Sequence, residues 1–266
     1  MTPIFDTHAH YNDKGFDADR EAVVAALPQN GVGTVIECGI DFDSCMISLD
    51  LGHRYPYMYV ALGIHPQSLL PEMNATTTTK FHGDWRAEMA AIRPYYDDPK
   101  VVAVGECGLD HFYPIPRDEQ IALFRAELEL ARELDLPILM HDREAHGDTY
   151  PILKEYRPKG ILHCYSGSAQ DVAWLAEQGL YFGFGGATTY KNAHHTLEAV
   201  AAVPDELFLL ETDSPYMTPN PVRKERNTSA NILHVANKLA EVRGTTAEEL
   251  IALASRNAHR LFKIPE

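Results

Sequence analysis

Histidines and carboxylates stand at the ends of short apolar segments along this chain. The first such segment, PIFDTHAH at residues 3–10, ends with His8 and His10. On an extended strand, side chains two residues apart point to the same side, so both imidazoles can approach one point. Imidazole and carboxylate together suit zinc, manganese or iron, and a shared carboxylate can hold two cations about 3.5–4 Å apart. The pattern therefore indicates a centre for one or two metal ions.

Further candidate ligands follow later apolar segments. They are His65, Glu106, Asp110, His141, His163 and Asp213. A lone histidine is more often a hydrogen-bonded core residue, and Asp213 with the nearby Glu211 could be hydrogen-bonded to loop backbone. Glu106 is harder to explain in that way, because a buried carboxylate is unfavourable without a cation or a donor beside it. Taken together the candidates favour a metal centre, with Asp6, deeper in the first segment, as a supporting residue.

Eight apolar segments alternate with helix-compatible segments. They cover residues 3–10, 33–39, 58–66, 101–110, 137–143, 160–167, 181–186 and 207–215. Most are continuously apolar, as expected of strands covered on both faces. Eight strand–helix repeats predict an α/β fold, a (β/α)8 TIM barrel, as a single domain over residues 1–266, with a doubly wound open sheet as the alternative. A barrel of this kind carries its functional side chains at the carboxyl ends of its strands, where the candidates lie.

The segments between the strands contain several predicted helices. Residues 117–136 have apolar side chains at helical spacing, residues 169–179 end in a glycine, and residues 194–204 end at a proline. Two terminal helices follow the eighth strand, the second beginning at Thr245 or Thr246 with a capping box. The threonine run at residues 76–79 is predicted to be a surface excursion.

The composition restricts what the protein can bind. The 266-residue chain is 45% hydrophobic and carries a formal net charge of −15. A field of this sign repels the phosphate backbone of long duplex nucleic acid, so a phosphate-bearing substrate needs local cations. The four cysteines have no CxxC spacing, and we expect reduced thiols. Since the sequence has neither a signal-like N-terminus nor a long apolar span, we expect a soluble cytoplasmic protein.

Six motifs occur in the order found in one enzyme family. They are FDTHAH, GIHP, GECGLD, HDREA, HCYSG and LLETDSPY. With these the chain resembles the TatD family of metal-dependent deoxyribonucleases and hydrolases, within the amidohydrolase superfamily, over essentially its whole length. The resemblance implies two cations, which share Glu106. His8, His10 and Asp213 would complete the site of one cation, and His141 and His163 that of the other.

The resemblance also implies an activity. It implies a phosphodiesterase or deoxyribonuclease, and we expect it to act as a 3′-5′ exonuclease on DNA ends. The expected substrate is single-stranded DNA or nucleic-acid ends, with no obligate protein partner, no membrane and a monomeric chain. Two divalent cations would be needed. Magnesium or manganese is expected for activity, and zinc is the alternative that the histidine content suits. Such ions lower the pKa of a shared water and polarise the phosphoryl oxygen. Asp213 would accept the proton of that water, so Asp213 and Glu106 are the predicted catalytic residues.

Substrate contacts are predicted outside the cation ligands. The candidates are His65, Arg143, Tyr165 and Arg226. Tyr165 could instead form a wall of the pocket. The chain departs from the family after the eighth strand, where Thr228 and Ser229 replace the usual Glu-Pro, and after GLD, where His111 begins the segment HFYP. Substrate details from these two loops are therefore not carried over.

Two other functions compete with nuclease action. A hydrolase of small amides, lactones or esters is the first, because the same activated water can attack a carbonyl carbon, and the net charge favours it. A metal-binding interaction protein without turnover is the second, although the complete ligand set argues against it. The fourth segment offers Glu106 and no lysine beyond Lys100 at its beginning, which disfavours the carbamylated-lysine centres of phosphotriesterase-like relatives.

Overall fold

A computed structural model describes residues 2–70 and 80–265. The threonine run at 76–79, predicted to be a surface excursion, lies outside the described residues. The predicted (β/α)8 barrel is confirmed, because eight strands are hydrogen-bonded in sequence order and helices alternate with them. The strands are β1 (Ile4–Ala9), β2 (Val32–Cys38), β3 (Met58–Leu62), β4 (Val101–Asp110), β5 (Ile138–Arg143), β6 (Gly160–Leu162), β7 (Tyr181–Phe184) and β8 (Phe208–Leu210).

The helices between and after these strands include those predicted from the sequence. They are α1 (Arg20–Ala26), α2 (Phe42–Arg54), α3 (Trp85–Ile92), α4 (Arg117–Leu134), α5 (His146–Tyr156), α6 (Ala169–Glu177), α7 (His194–Ala202), α8 (Ile232–Arg243) and α9 (Ala247–Phe262). The capping box of α9 joins Thr246 to Glu249, which is the second of the two predicted registers. Within residues 2–70 and 80–265, the structure has no helix whose length and hydrophobicity would allow it to cross a bilayer.

β3 ends at Leu62, four residues earlier than the sequence predicts, and β6 and β8 each end five residues early. β6 stops at Leu162 and β8 at Leu210, whereas the apolar segments continue to residues 167 and 215. In both places the chain leaves the extended conformation, since Cys164 has φ 45° and Asp213 has φ 58°. His163 and Asp213 therefore lie on tight turns directly after their strands.

Two compact units are distinguishable within the fold. The first comprises the described residues of Met1–Tyr11, Gly15–Ile36 and Leu162–Glu266, and the second those of Asn12–Lys14 and Glu37–Ile161. In the first unit, the segment after β8 is bonded to β1. The Asp213 N–H donates to the His8 carbonyl at 2.9 Å, and the His10 N–H donates to the Ser214 carbonyl at 2.7 Å. These bonds fix the first histidine pair beside Asp213.

A buried carboxylate and the last helix support this closure in the first unit. Asp6 on β1 accepts hydrogen bonds from the backbone N–H and the hydroxyl of Thr212, at 3.0 and 2.6 Å. Burial raises the pKa of Asp6 to about 7, although these bonds lower it. Helix α9 covers the same strands, because Ser255 donates to the Pro3 carbonyl and Asn257 to the Phe208 carbonyl. Asp6 thus has the supporting position predicted from its depth in the strand.

In the second unit, β4 lies in parallel register between β3 and β5. Gly108 pairs with His141, and an added Cβ at Gly108 would lie 2.1 Å from the His141 carbonyl oxygen. The backbone of Gly108 also has φ 134°, which side chains disfavour. Glycine is therefore required for the close approach that brings the carboxyl ends of β4 and β5 together.

Glu127 on α4 makes the folded state of the second unit sensitive to pH. Its buried carboxylate accepts the Ile64 N–H at 2.8 Å, and burial raises its pKa well above the ordinary value. The folded state therefore prefers the protonated form, so this stability is complete below the unfolded-state pKa and is lost as pH rises through the folded-state pKa. We expect Glu127→Gln to remove part of the decline in unfolding free energy above neutral pH, by up to about 1.4 kcal/mol per pH unit.

Urea unfolding of both proteins across a pH series measures this effect. Equal slopes of unfolding free energy against pH in the two proteins would show that Glu127 is ionised in the folded state. Because glutamine keeps an acceptor for the Ile64 N–H, loss of that hydrogen bond should not obscure the comparison.

Candidate metal centre

The first donor group lies where β1 meets the turn after β8, in the first unit. The Nε2 atoms of His8 and His10 are 3.0 Å apart, as the two-residue spacing on β1 predicts. The Asp213 Oδ1 atom is 3.5 Å from His10 Nε2 and 3.9 Å from His8 Nε2. Both histidines are buried, whereas Asp213 is 18% exposed. Two imidazoles and one carboxylate directed at one point form a donor set that suits a divalent cation.

His163 adjoins this group within the same unit. Its ring stacks on His8 with centroids 3.9 Å apart, and its Nδ1 atom is 3.5 Å from Glu211 Oε1. Glu211 Oε1 also accepts the Cys164 N–H at 2.5 Å, so this carboxylate has the backbone bond that the sequence suggested as an alternative. Among the described residues, Glu211 Oε2 has no hydrogen-bond partner. A buried carboxylate oxygen without a donor fits a position close to a cation.

The second donor group lies at the carboxyl ends of β3, β4 and β5, in the second unit. The Glu106 Oε1 atom is 3.1 Å from His141 Nδ1 and 3.6 Å from His65 Nε2. These three residues again offer imidazole and carboxylate donors within one small volume. His65, predicted to contact substrate, therefore lies among the candidate ligands themselves. Its ring is 4.4 Å from that of His141.

Neighbouring histidines lower the pKa of a carboxyl group in or beside each donor group. Burial raises the pKa of Asp213, but the hydrogen bond with His10 and the charges of His163 and His8 outweigh burial and lower it below the ordinary value. Burial likewise raises the pKa of Asp110, but the hydrogen bond and charge of His141, the charge of His65 and the Phe112 N–H together lower it below the ordinary value. Both carboxylates are therefore ionised at neutral pH.

Asp110 orients the His141 ring through the nitrogen that does not face Glu106. Its Oδ2 atom is 3.1 Å from His141 Nε2, while the Nδ1 atom of the same ring faces Glu106. A carboxylate at this position fixes the tautomer of a ligand histidine and raises its basicity. Sequence reasoning placed Asp110 among the ligand-type residues without a role, because its partner is on another strand.

We expect Asp110→Asn to weaken manganese binding by about 10- to 100-fold. The amide keeps the shape of the side chain but cannot stabilise the orientation of His141 by charge. Calorimetric titration of metal-free protein with Mn²⁺ measures the change. The matched control is Asp98→Asn, which alters another aspartate–histidine pair, 2.7 Å from His53, away from the donor groups. An affinity equal to that of the wild type in Asp110→Asn would exclude the orienting role.

The other predicted substrate residues make contacts within the protein. Arg226 donates to both carboxylate oxygens of Asp19, each at 2.8 Å, and lies over the Phe16 ring. Tyr165 is buried, its hydroxyl donates to the Ser168 carbonyl at 3.0 Å, and this suits a wall of the site. Their contact with substrate stays a prediction, as does that of Arg143.

The loop that departs from the family pattern is well bonded. Asn227 is buried and donates to the carbonyls of Thr212 and Tyr216, at 3.0 and 2.7 Å. The Ser229 N–H donates to the Tyr11 hydroxyl at 2.9 Å. The serine that replaces the usual proline thus contributes a backbone donor that proline would lack. The loop after β8 is held in place by these bonds.

Comparisons with known proteins agree with this geometry. A family model described as "TatD related DNase" matches residues 5–263. The "uncharacterized metal-dependent hydrolase YabD" of Bacillus subtilis is 36% identical over 265 residues, covering 98% of this chain and 99% of that protein. The "3′-5′ ssDNA/RNA exonuclease TatD" of Salmonella typhimurium is 32% identical over 273 residues, with 98% and 99% covered. The crystal structure of YjjV, a TatD homologue from Escherichia coli K12, has a TM-score of 0.87 at 31% identity and 98% coverage of both chains.

Proposed function

The chain belongs to the TatD family of metal-dependent hydrolases, enzymes that act on ester bonds, and we propose that it is a 3′-5′ exonuclease acting on single-stranded nucleic-acid ends. The observation that carries this proposal is the convergence of His8, His10 and Asp213 after β1 and β8. The name of the Salmonella relative supports the class of substrate and the direction of cleavage. Phosphodiester hydrolysis is one of the reactions that this donor chemistry serves.

Two divalent cations are proposed to bind to these groups. When bound, such cations would lower the pKa of a water molecule and polarise the phosphoryl group whose phosphorus atom that water attacks. The motif match of the sequence assigns His8, His10 and Asp213 to one cation, and His141 and His163 to the other. The assignment of Glu106 to both cations rests on the motif match of the sequence. His65 is close enough to the Glu106 carboxylate to bind a cation as well as a substrate phosphate.

Asp213 is proposed to accept the proton of the attacking water. The lowered pKa of its carboxyl group keeps it ionised at neutral pH, and its partial exposure allows it to meet a substrate. The two histidines beside it hold the carboxylate in position. His65 and Arg143 are the proposed phosphate contacts, and Tyr165 and Arg226 remain candidates at the edges of the site.

The function is tested by digesting end-labelled single- and double-stranded DNA. Metal-stripped protein is refilled with Mg²⁺, Mn²⁺ or Zn²⁺ before each reaction. We expect progressive shortening of 5′-labelled single strands, early release of mononucleotide from 3′-labelled strands, and slower action on blunt duplexes. No cleavage with any of the three metals would overturn the nuclease proposal.

A hydrolase of small amides, lactones or esters is the second candidate. The formal net charge of −15 favours it, because this charge opposes the approach of a polyanion. Turnover of a panel of lactones and amides by the refilled protein, with no cleavage of DNA, would support this function. The cluster of donors is the same for both reactions, so the substrate decides between them.

We also propose that the enzyme works in the cytoplasm as a monomer without an obligate protein partner. All four cysteines are free, and three of them are buried. Free thiols are typical of proteins in a reducing compartment. Size-exclusion chromatography with light scattering measures the oligomeric state, and a mass near 29.7 kDa is expected.

A further inference from the structure

Two adjacent aromatic side chains stand in solvent directly after β4. Phe112 is 52% exposed and Tyr113 is 37% exposed, and their rings meet edge to face with centroids 5.1 Å apart. The exposed Arg143 at the end of β5 places its guanidinium 3.8 Å from the centroid of the Phe112 ring. We name Phe112, Tyr113 and Arg143 the aromatic shelf. Exposed apolar surface of this kind, held next to a cationic group, is typical of a binding site.

The shelf is connected to the second donor group through the Asp110 carboxylate. The Phe112 N–H donates to Asp110 Oδ1 at 3.0 Å, while the other oxygen of that carboxylate is 3.1 Å from His141 Nε2. The His111 N–H donates to the Arg143 carbonyl at 2.9 Å, which ties the loop after β4 to the end of β5. The shelf therefore has a fixed position beside a candidate ligand histidine.

The charge and the shape of the shelf fit one part of a nucleic-acid end. An aromatic face offers stacking to any base, and a guanidinium beside it offers a cation to the attached phosphate. A protein with a net charge of −15 needs such a local cation to bind a polyanion. Small amide or lactone substrates provide no planar base for Phe112 to stack against.

We propose that the aromatic shelf binds the nucleobase next to the phosphodiester that is cleaved, with Phe112 stacking on the base and Arg143 contacting its phosphate. This rests on the proposed nuclease function and adds a requirement to it, namely that the terminal nucleotide must carry a base. Because stacking accepts every base, the shelf gives a preference for unpaired ends without a preference for sequence.

The test compares Phe112→Ala and Phe112→Trp on two single-stranded substrates. One substrate has an ordinary 3′-terminal nucleotide, and the other has an abasic residue there. We expect Phe112→Ala to lose about 5- to 150-fold in kcat/KM on the ordinary end, mainly through KM, and Phe112→Trp to retain most of the activity. On the substrate with the abasic end, wild type and Phe112→Ala should have equal kcat/KM, because no base remains to stack.

Tyr95→Ala is the matched control for loss of an exposed aromatic side chain. Tyr95 is 39% exposed and precedes β4, at the opposite end of the strand from the shelf. Its replacement should leave kcat/KM unchanged on both substrates. An equal ratio of ordinary to abasic kcat/KM in wild type and Phe112→Ala would overturn the shelf and leave the nuclease function standing. A wild type that cleaves neither substrate with any metal would overturn both.

A fluorescence measurement tests the stacking itself. Oligonucleotides ending in 2-aminopurine are titrated with wild-type protein in EDTA, so that no cleavage occurs, and the emission of the base is recorded. Stacking on an aromatic ring quenches this emission, so we expect quenching by wild type and Phe112→Trp and a several-fold smaller effect with Phe112→Ala. Equal quenching by all three proteins would place the base elsewhere.

Discussion

Replacing Glu106 by glutamine is expected to reduce cleavage of single-stranded DNA by about three orders of magnitude. The carboxylate is buried at the end of β4, 3.1 Å from His141 and 3.6 Å from His65. Glutamine has the same shape but no charge, so the imidazoles would lose their anionic partner for binding cations. Metal ions supply several kcal/mol of transition-state stabilisation, and each 1.4 kcal/mol or so is tenfold in rate.

Initial rates and metal content, measured by mass spectrometry of the refilled protein, check this result. The matched control is Glu127→Gln, because Glu127 is another buried glutamate of the same unit outside the donor group. The control should keep its metals and its activity near neutral pH. A Glu106→Gln rate within tenfold of wild type in both Mg²⁺ and Mn²⁺ would remove Glu106 from the site.

Replacing Asp213 by asparagine is expected to lower kcat by about 10²- to 10⁴-fold. An amide cannot accept the proton of the attacking water, and it gives up the charge that faces His8 and His10. The substitution suits the backbone, because Asp213 has φ 58° and asparagine tolerates the left-handed region as aspartate does. Loss of activity can therefore be attributed to the side chain.

Single-turnover rates at saturating metal separate the proton-accepting role of Asp213 from its role as a ligand. Asp135→Asn is the control, since Asp135 also has a left-handed backbone, at the end of α4, and is exposed. It should match wild type in rate and in metal content. Full turnover by Asp213→Asn with a normal metal content would rule out a general base at this position.

The strand pattern was predictable because buried parallel strands leave continuous apolar segments in the sequence. The ends of β6 and β8 were not, since they depend on left-handed turns at Cys164 and Asp213. Neither residue type signals such a turn by itself, and both turns need their partners in the folded chain. The Cys164 N–H, for example, is bonded to Glu211, and the Asp213 N–H to His8.

The candidate site was predictable to the extent that local spacing determines it. The two-residue spacing of His8, on β1, and His10, directly after β1, is sufficient to direct both side chains to one point. The partners of His141 and His163 were not apparent, because Asp110 on β4 and Glu211 directly after β8 are distant from them in the sequence. The position of His65 was ambiguous for a similar reason. Its distance from Glu106 depends on the register of β3 and β4, which no short motif contains.

The bonds between β1 and the turn after β8 couple cation binding to completion of the fold. His8 and Asp213 come together only when the last strand has docked on the first. A cation held by both would bind the closed chain and not an open one, so its binding free energy adds to the stability of closure. At a free metal concentration of one hundred times Kd, this thermodynamic linkage amounts to about 2.7 kcal/mol. The free metal concentration in the cell would thus change the lifetime of the folded protein as well as its catalytic rate.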